Sequence, residues 1–291
     1  MKEETIAILL ATYNGERYLR EQIDSLYAQT RKDWTLYVHD DGSTDGTRSI
    51  LEEYAREKDN FVILDYPSQK GASNNFFSLL RRVDADYYFF ADQDDRWMPC
   101  KIEKTMDRMR QVEAARAGVP VLVCCDACVT DESLQVTSPS LWQQAGTHPE
   151  FLTTFDESAA TPFVTGCTMV VNQEAKRRLL WDKIAYATMH DAFITLCVLK
   201  SGGVVSPVFE SLMYYRQHGD NTLGAFSARE DRWMYKLRHI QTVLQTDIAL
   251  LRMLRALGYG SIFKFLKYKR IYKQRVRNAS LHANKLTKDD K

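Results

Sequence analysis

From residue 87 to 97 the chain reads Tyr-Tyr-Phe-Phe-Ala-Asp-Gln-Asp-Asp-Arg-Trp, an apolar run that stops on three carboxylates within four positions. The run is short, aromatic and free of Gly and Pro, which reads as a buried strand. The acids then fall at its carboxyl end, where open α/β sheets bind their ligands. Three acids so close repel one another, and a cation among them removes that cost. Oxygen ligands suit a hard divalent ion, Mg²⁺ or Mn²⁺, which shares its other positions with phosphate oxygens and water. The motif therefore points to a metal–diphosphate site. The competing reading is an acidic turn that caps the helix beginning near Pro99.

The chain around this stretch alternates strand and helix. Ile6 to Ala11 is an apolar run ending in the turn Thr12-Tyr13-Asn14-Gly15. Leu19, Ile23, Leu26 and Tyr27 follow at helical spacing. Trp34 to Asp40 is a second strand, broken by Asp40-Asp41-Gly42-Ser43-Thr44-Asp45-Gly46. Ile50, Leu51 and Tyr54 mark a helix, Phe61 to Asp65 a strand, and Phe76, Phe77 and Leu80 another helix. This rhythm predicts an α/β fold, a mostly parallel central sheet with helices on both faces. Right-handed crossovers would set every strand's carboxyl end on one rim. Three loops then converge there: 12–15, 40–46 and 92–95. A flat base could stack on Tyr13 while Asp40 or Asp41 accepts its N–H. An ordinary tight turn explains those two acids equally well.

No G-x-G-x-x-G follows the first strand and no P-loop motif occurs, so neither a dinucleotide site nor a P-loop has support. The 291 residues suffice for one large domain or a domain with an extension. A net charge of +1 argues against a polyanion, including nucleic acid, as partner of the whole molecule. The start lacks a secretory signal pattern, and no apolar stretch is long enough to span a bilayer. The six cysteines read as free thiols; Cys125 and Cys128 form a lone C-x-x-C without nearby His. We expect a cytoplasmic location, peripheral at the cytoplasmic face of the cell membrane.

Ile102, Met106, Met109 and Val112 predict a core-facing helix stripe. Residues 129–161 lack periodicity and read as an irregular excursion over the rim. Residues 163–171 resume strand character, with Gly166 marking a bulge or a close backbone approach. Asp191 precedes an apolar segment, as an N-cap or as a general base held at a helix start. Val204 to Val208 is a short strand, and 214–221 a polar, aromatic loop containing His218. From Arg232 to Arg277 there are twelve Lys/Arg against one acid. Leu237, Ile240, Val243, Leu244, Ile248, Leu251 and Leu254 recur at helical spacing. That basic amphipathic tail suggests either contact with an anionic membrane surface or a helical hairpin packed on the main domain.

Six segments stand in one order: Ala-Thr-Tyr-Asn-Gly at 11–15, Asp-Asp-Gly-Ser-Thr-Asp-Gly-Thr at 40–47, Asp-Gln-Asp-Asp-Arg-Trp at 92–97, Thr-Gly-Cys-Thr-Met at 165–169, His-Asp at 190–191 and Tyr-Arg-Gln-His-Gly-Asp-Asn at 215–221. The set resembles the inverting family 2 glycosyltransferases of GT-A fold. More narrowly, it resembles bacterial rhamnosyltransferases that extend cell-wall and capsular polysaccharides. The likeness implies a glycosyltransferase domain over 1–225 and a basic helical C-terminal extension over 226–291.

It also implies a dTDP- or UDP-linked sugar donor and a glycan or glycolipid acceptor. By the resemblance, Thr12, Tyr13, Asn14, Asp41, Asn75, Asp92 and Gln93 hold the nucleotide sugar. Asp94, Asp92 and His218 hold Mg²⁺ or Mn²⁺, and Asp191 is the catalytic base. Trp97, Gly166, Cys167 and His190 belong to the acceptor or sugar pocket. Position 192, often aromatic in such relatives, is Ala192 here, a departure that bears on that pocket. Two rivals remain: a nucleotidyltransferase, for which Thr12–Glu16 lacks a Lys, and a non-catalytic membrane-docking module.

Overall fold

The computed structural model describes residues 4–219 and 240–289. The 225/226 boundary, Asp220, Asn221 and Leu237 fall outside them, as do the side chains of Ile240, Val243 and Leu244.

The expected strands form, joined by two short ones at 96–97 and 136–138 that the sequence did not suggest. They are β1 (Ile6–Thr12), β2 (Trp34–Asp40), β3 (Phe61–Ile63), β4 (Tyr87–Ala91), β5 (Arg96–Trp97), β6 (Val121–Thr130), β7 (Val136–Ser138), β8 (Met169–Asn172) and β9 (Val204–Arg216). They join one sheet in the order β3-β2-β1-β4-β8-β6-β9-β5, with β7 on β6. The first four of that order are parallel, and β6 pairs β9 in parallel. Strand β8 runs against both its neighbours, so the parallel rule breaks at the middle of the sheet. The residues 163–171 thus divide into an extended entry, a 3-10 turn at Gly166–Thr168 and the reversed strand.

Strand β1 is buried along its whole length because both faces are covered. Ala7 and Leu9 pack into one layer with Phe76 and Phe193, whereas Ile6, Ile8 and Leu10 pack into the other with Leu19, Ile23 and Met106. The period-2 alternation of a strand thereby divides the core in two. Helices α1 (Leu19–Tyr27), α2 (Thr47–Glu57) and α4 (Lys101–Ala115) cover the second layer. Helices α3 (Ala72–Arg82) and α8 (His190–Lys200) cover the first. The stripe Ile102, Met106, Met109 and Val112 is buried as its spacing predicts.

The excursion over 129–161 is more ordered than its sequence suggests. It contains β7, α5 (Leu141–Ala145) and α6 (Phe155–Ala160), each helix opened by a side-chain cap. Thr154 and Glu157 form a reciprocal capping box at α6. A further short helix, α7 (Gln173–Arg177), follows β8. Strand β9 continues through Tyr214, Tyr215 and Arg216, a stretch expected to be loop.

The tail forms α9 (Ile240–Ala256) and α10 (Ile262–Asp289). Met253, Leu254, Leu257 and Tyr259 are buried in the first core layer. Ile248 and Leu251 are exposed, so the stripe expected to face one way is split. Arg275 pairs with Glu157 at 2.5 Å and Lys264 with Asp156 at 2.6 Å, fixing α10 beside α6. Among the described residues no helix is long and apolar enough to cross a membrane.

Candidate active site

The carboxyl ends of β1, β2 and β4 open into a cleft of about 1110 Å³. Its first wall is the turn after β1. Thr12 is buried and donates its hydroxyl to Asp40 Oδ1 at 3.1 Å. Asn14 sits at φ 47°, a left-handed conformation that Asn tolerates. Its N–H donates to Ser43 Oγ and its Oδ1 accepts the Thr44 N–H, both at 2.8 Å. Gln93 bonds the Tyr13 backbone twice, accepting its N–H and donating to its carbonyl, each at 2.9 Å. Gly15 permits this clamp, because a Cβ there would lie 2.3 Å from Gln93 Oε1. The Tyr13 ring is left 57% exposed at the cleft mouth, available for stacking.

Asp40 makes the turn that its sequence suggests, accepting the Ser43 N–H at 3.0 Å. Asp41 does something else. Its Oδ1 accepts the N–H of Gln69 at 2.5 Å and its Oδ2 that of Gly71 at 2.8 Å, tying the 69–71 loop to the rim. Burial alone would raise its pKa, but the N–H groups of Gly71, Gln69 and Lys70 with the Ser68 hydroxyl pull it below the usual range. A carboxylate so held keeps its charge where it borders the cleft. Asn75 is buried on α3, with Oδ1 2.9 Å from His39 Nδ1 and Nδ2 donating to the His39 carbonyl. It borders the cleft from beneath.

The acids after β4 divide between cleft and core. Asp92 and Asp94 line the cleft, and His218 Nε2 lies 2.7 Å from Asp94 Oδ2. Burial, then the charges of Asp94 and Asp191, raise the Asp92 pKa. That repulsion is what a divalent cation would relieve, and carboxylate with imidazole is a donor set that Mg²⁺ or Mn²⁺ accepts. Asp95 turns inward, wholly buried, and accepts the Arg216 N–H at 3.1 Å. Burial together with Asp94 and Asp92 raises its pKa well above the usual range. Asp92, Asp95 and Cys167 offer atoms within 4.8 Å of one another. Burial also raises the Cys167 thiol, so this inner trio suits a hard ion less well than the outer pair with His218.

Asp191, in the first turn of α8, lines the same cleft. It does not cap the helix; the cap position is Met189. Its Oδ2 accepts the Gly166 N–H at 3.0 Å and its Oδ1 the Ala192 N–H at 2.6 Å. Burial pushes its carboxyl up to about 6, and those N–H groups temper the rise. A carboxylate with that pKa is suited to accept a proton near neutral pH.

Gly166 allows a close approach, but by His190 rather than by a ligand. A Cβ at 166 would meet His190 Nε2 at 2.5 Å. His190 packs on Phe76 with ring centroids 4.3 Å apart, and burial pushes its pKa down to about 3, so it is neutral. Both residues border the cleft. Trp97 and Cys167, expected in the sugar or acceptor pocket, do not. Trp97 faces inward from β5, packed on Phe89 and on the buried Lys101 ammonium. Cys167 is wholly buried, and its carbonyl accepts from Lys101.

Three contributors carried no sequence signal strong enough to find them. Lys101 lies under the acids as an internal countercharge, hidden within a helix whose pattern reads as core. Lys70 and Arg17 border the cleft as cations, but nothing in their local pattern marks them. Arg216 lies in the quoted Tyr-Arg-Gln-His segment. It donates to the Asp94 carbonyl at 2.7 Å and the Glu132 carbonyl at 2.7 Å, pairs with Glu21 at 2.5 Å, and stacks over Tyr18.

The sequence profile of Glycosyl transferase family 2 matches residues 7–180, more than half of the chain. The chain belongs to glycosyl transferase family 2. This family 2 chain is 30% identical over 229 residues to the dTDP-rhamnosyl transferase RfbG of Shigella flexneri, covering 74% of each. It is 26% identical over 218 residues to the putative teichuronic acid biosynthesis glycosyltransferase TuaG of Bacillus subtilis, covering 72% of this chain and 78% of TuaG. Among solved structures, TarS 1-349 of S. aureus in complex with UDP-GlcNAc aligns at TM-score 0.55 and 17% identity, over 88% of this chain and 73% of TarS 1-349. A mannosyltransferase of Pyrobaculum calidifontis, in complex with GDP-Man and Mn²⁺, aligns at 0.57 and 16%, over 97% and 79%. At such identities the structural likeness shows the fold, which is GT-A. The family 2 chain is thus a glycosyltransferase, with relatives in polysaccharide biosynthesis.

Proposed function

We propose that the protein transfers L-rhamnose from dTDP-rhamnose to a hydroxyl of a growing, lipid-linked cell-surface polysaccharide, with inversion at the anomeric carbon. The observation that carries the reading is one cleft lined by Asp92, Asp94 and the half-buried Asp191, with Asp191 close enough for its charge to raise the Asp92 carboxyl. One base suffices for a single displacement, in which the acceptor oxygen attacks opposite the leaving group and no covalent enzyme intermediate forms.

Tyr13 stacks on the base, and the Asp41 carboxylate accepts its N–H, sharing an oxygen with the loop donors that hold it. Asp92, Asp94 and His218 hold Mg²⁺ or Mn²⁺. The ion supplies positive charge against the negative charge that grows on the departing diphosphate. Asp191 accepts the proton of the acceptor hydroxyl as its oxygen attacks. Gly166 and Ala192 hold that carboxylate by their N–H groups, so its orientation is set before the acceptor arrives. Neutral His190 keeps a second charge away from the base.

The name of RfbG supports the rhamnosyl donor. A UDP-hexose donor is the second reading, favoured by the relative WfgD of Escherichia coli, named as a UDP-Glc-dependent glucosyltransferase and 29% identical over 109 residues. Incubating the protein with a panel of nucleotide sugars and Mn²⁺ decides between them. Slow release of dTDP from dTDP-rhamnose is expected. Release of UDP alone from UDP-hexoses would replace the rhamnosyl reading, and release of pyrophosphate would replace the transferase. A lipid-linked acceptor places the enzyme at the cytoplasmic face of the cell membrane.

A further inference from the structure

Large apolar side chains are exposed at few places on the described surface, and five of them lie on the last two helices: Ile248, Leu251, Ile262, Phe263 and Leu266. Phe263 is the most extreme at 80% exposure. Helix α10 has two sharply different sides. Phe265 and Tyr272 pack on the core, the Tyr272 hydroxyl accepts the His148 N–H at 2.9 Å, and Arg275 pairs with Glu157. Steps of three and four residues from Phe263 reach Leu266, Lys267, Arg270, Lys273 and Arg277, all exposed and on the opposite side. Between 262 and 279 the helix holds seven Lys/Arg and no Asp or Glu. Two of the seven, Lys264 and Arg275, are paired with α6; the outward four make no ion pair with a carboxylate among the described residues.

We infer that the outward side of α10 is a docking surface for an anionic lipid bilayer. Phe263 and Leu266 enter the headgroup–acyl boundary, while Lys267, Arg270, Lys273 and Arg277 meet lipid phosphates. Apolar anchoring and electrostatic attraction are each weak singly and become effective together, and this helix side supplies both. Nucleic acid would satisfy the bases but gives aliphatic Leu266 and Ile262 nothing to bury against. The inference deepens the peripheral placement proposed above and takes only the identity of the leaflet from it.

Flotation of the full chain with vesicles tests the surface. Phosphatidylcholine vesicles containing about a third phosphatidylglycerol should carry the protein upward, vesicles of phosphatidylcholine alone should not, and 0.5 M salt should release it. Two variants, Phe263→Ser with Leu266→Ser and Lys273→Glu with Arg277→Glu, should each bind at least tenfold more weakly. Their nucleotide-sugar hydrolysis in solution should stay within twofold of the wild type, which also shows that they fold. Wild type that fails to float, or variants that float equally well, would overturn the inference. So would a single-stranded RNA that binds more tightly than the vesicles and strips the protein from them. Flotation without any sugar hydrolysis would leave the surface standing and remove the transferase reading instead.

Discussion

In the proposed reaction, Asp191 is the residue on which the chemistry turns. Replacement by Asn keeps an oxygen for the Gly166 N–H and removes the basic site. The expected result is a kcat lower by about 10²–10⁴-fold with donor affinity little changed, as suits a proton acceptor acting in the transition state. Because burial raises this carboxyl to about 6, the wild-type rate should climb with pH through that region as the base loses its proton. Asp191→Asn should lack that limb. Steady-state kinetics from pH 5 to 8 check both, and equal losses in binding and rate would assign Asp191 to structure. The residue types of this site were readable from sequence, since Asp92, Asp94, Asp191 and His218 all border one cleft. The inward turns of Trp97, Cys167 and Asp95 were not. Each depends on contacts distant in sequence, β5 with β9, Cys167 with Lys101 and Asp95 with Arg216, which no spacing along the chain encodes.

At the level of elements, the end of β9 holds the acidic turn in place. Arg216 joins that turn to α1 through Glu21 and to the 131–134 turn through the Glu132 carbonyl, while its own N–H reaches Asp95. Arg216→Met should cost about 2–4 kcal/mol, since it strips a buried guanidinium from several acceptors at once. Urea unfolding measures this loss, and the donor KM should rise with it because the Asp94 backbone loses its tether. An unchanged KM would confine Arg216 to stability. The β9 extension was hidden in the sequence by Pro207 and by the polar Glu210-Ser211, and its pairing with β6 shifts register there. The strand–helix rhythm of the first hundred residues was legible because each helix shows one apolar stripe and each central strand is apolar on both faces. The reversal of β8 was not, because a buried strand's residues look alike in either direction.

Across the whole molecule, a net charge of +1 conceals an acidic cleft and a basic final helix. Asp92, Asp95 and Asp191 all have raised pKa values in the folded state. Above about pH 4, where free aspartates ionise, the folded chain therefore holds more protons than the unfolded one. By linkage these groups lower stability as pH rises toward neutrality. A divalent cation at Asp92 and Asp94 competes with those protons. The rise in Tm on adding saturating Mn²⁺ should accordingly be larger at pH 7.5 than at pH 5.5, as read by thermal-shift fluorimetry. Equal rises at both pH values would place the ion elsewhere.

In the proposed mechanism, the crowded carboxylates bind a sugar nucleotide through a dication. Calorimetric titration of dTDP-rhamnose, with Mn²⁺ and again with chelator, tests it most directly. Tight binding with Mn²⁺, its loss in chelator and its loss in Asp94→Ala are the predicted results. Equal affinity with and without the metal would rule out a metal-bridged donor.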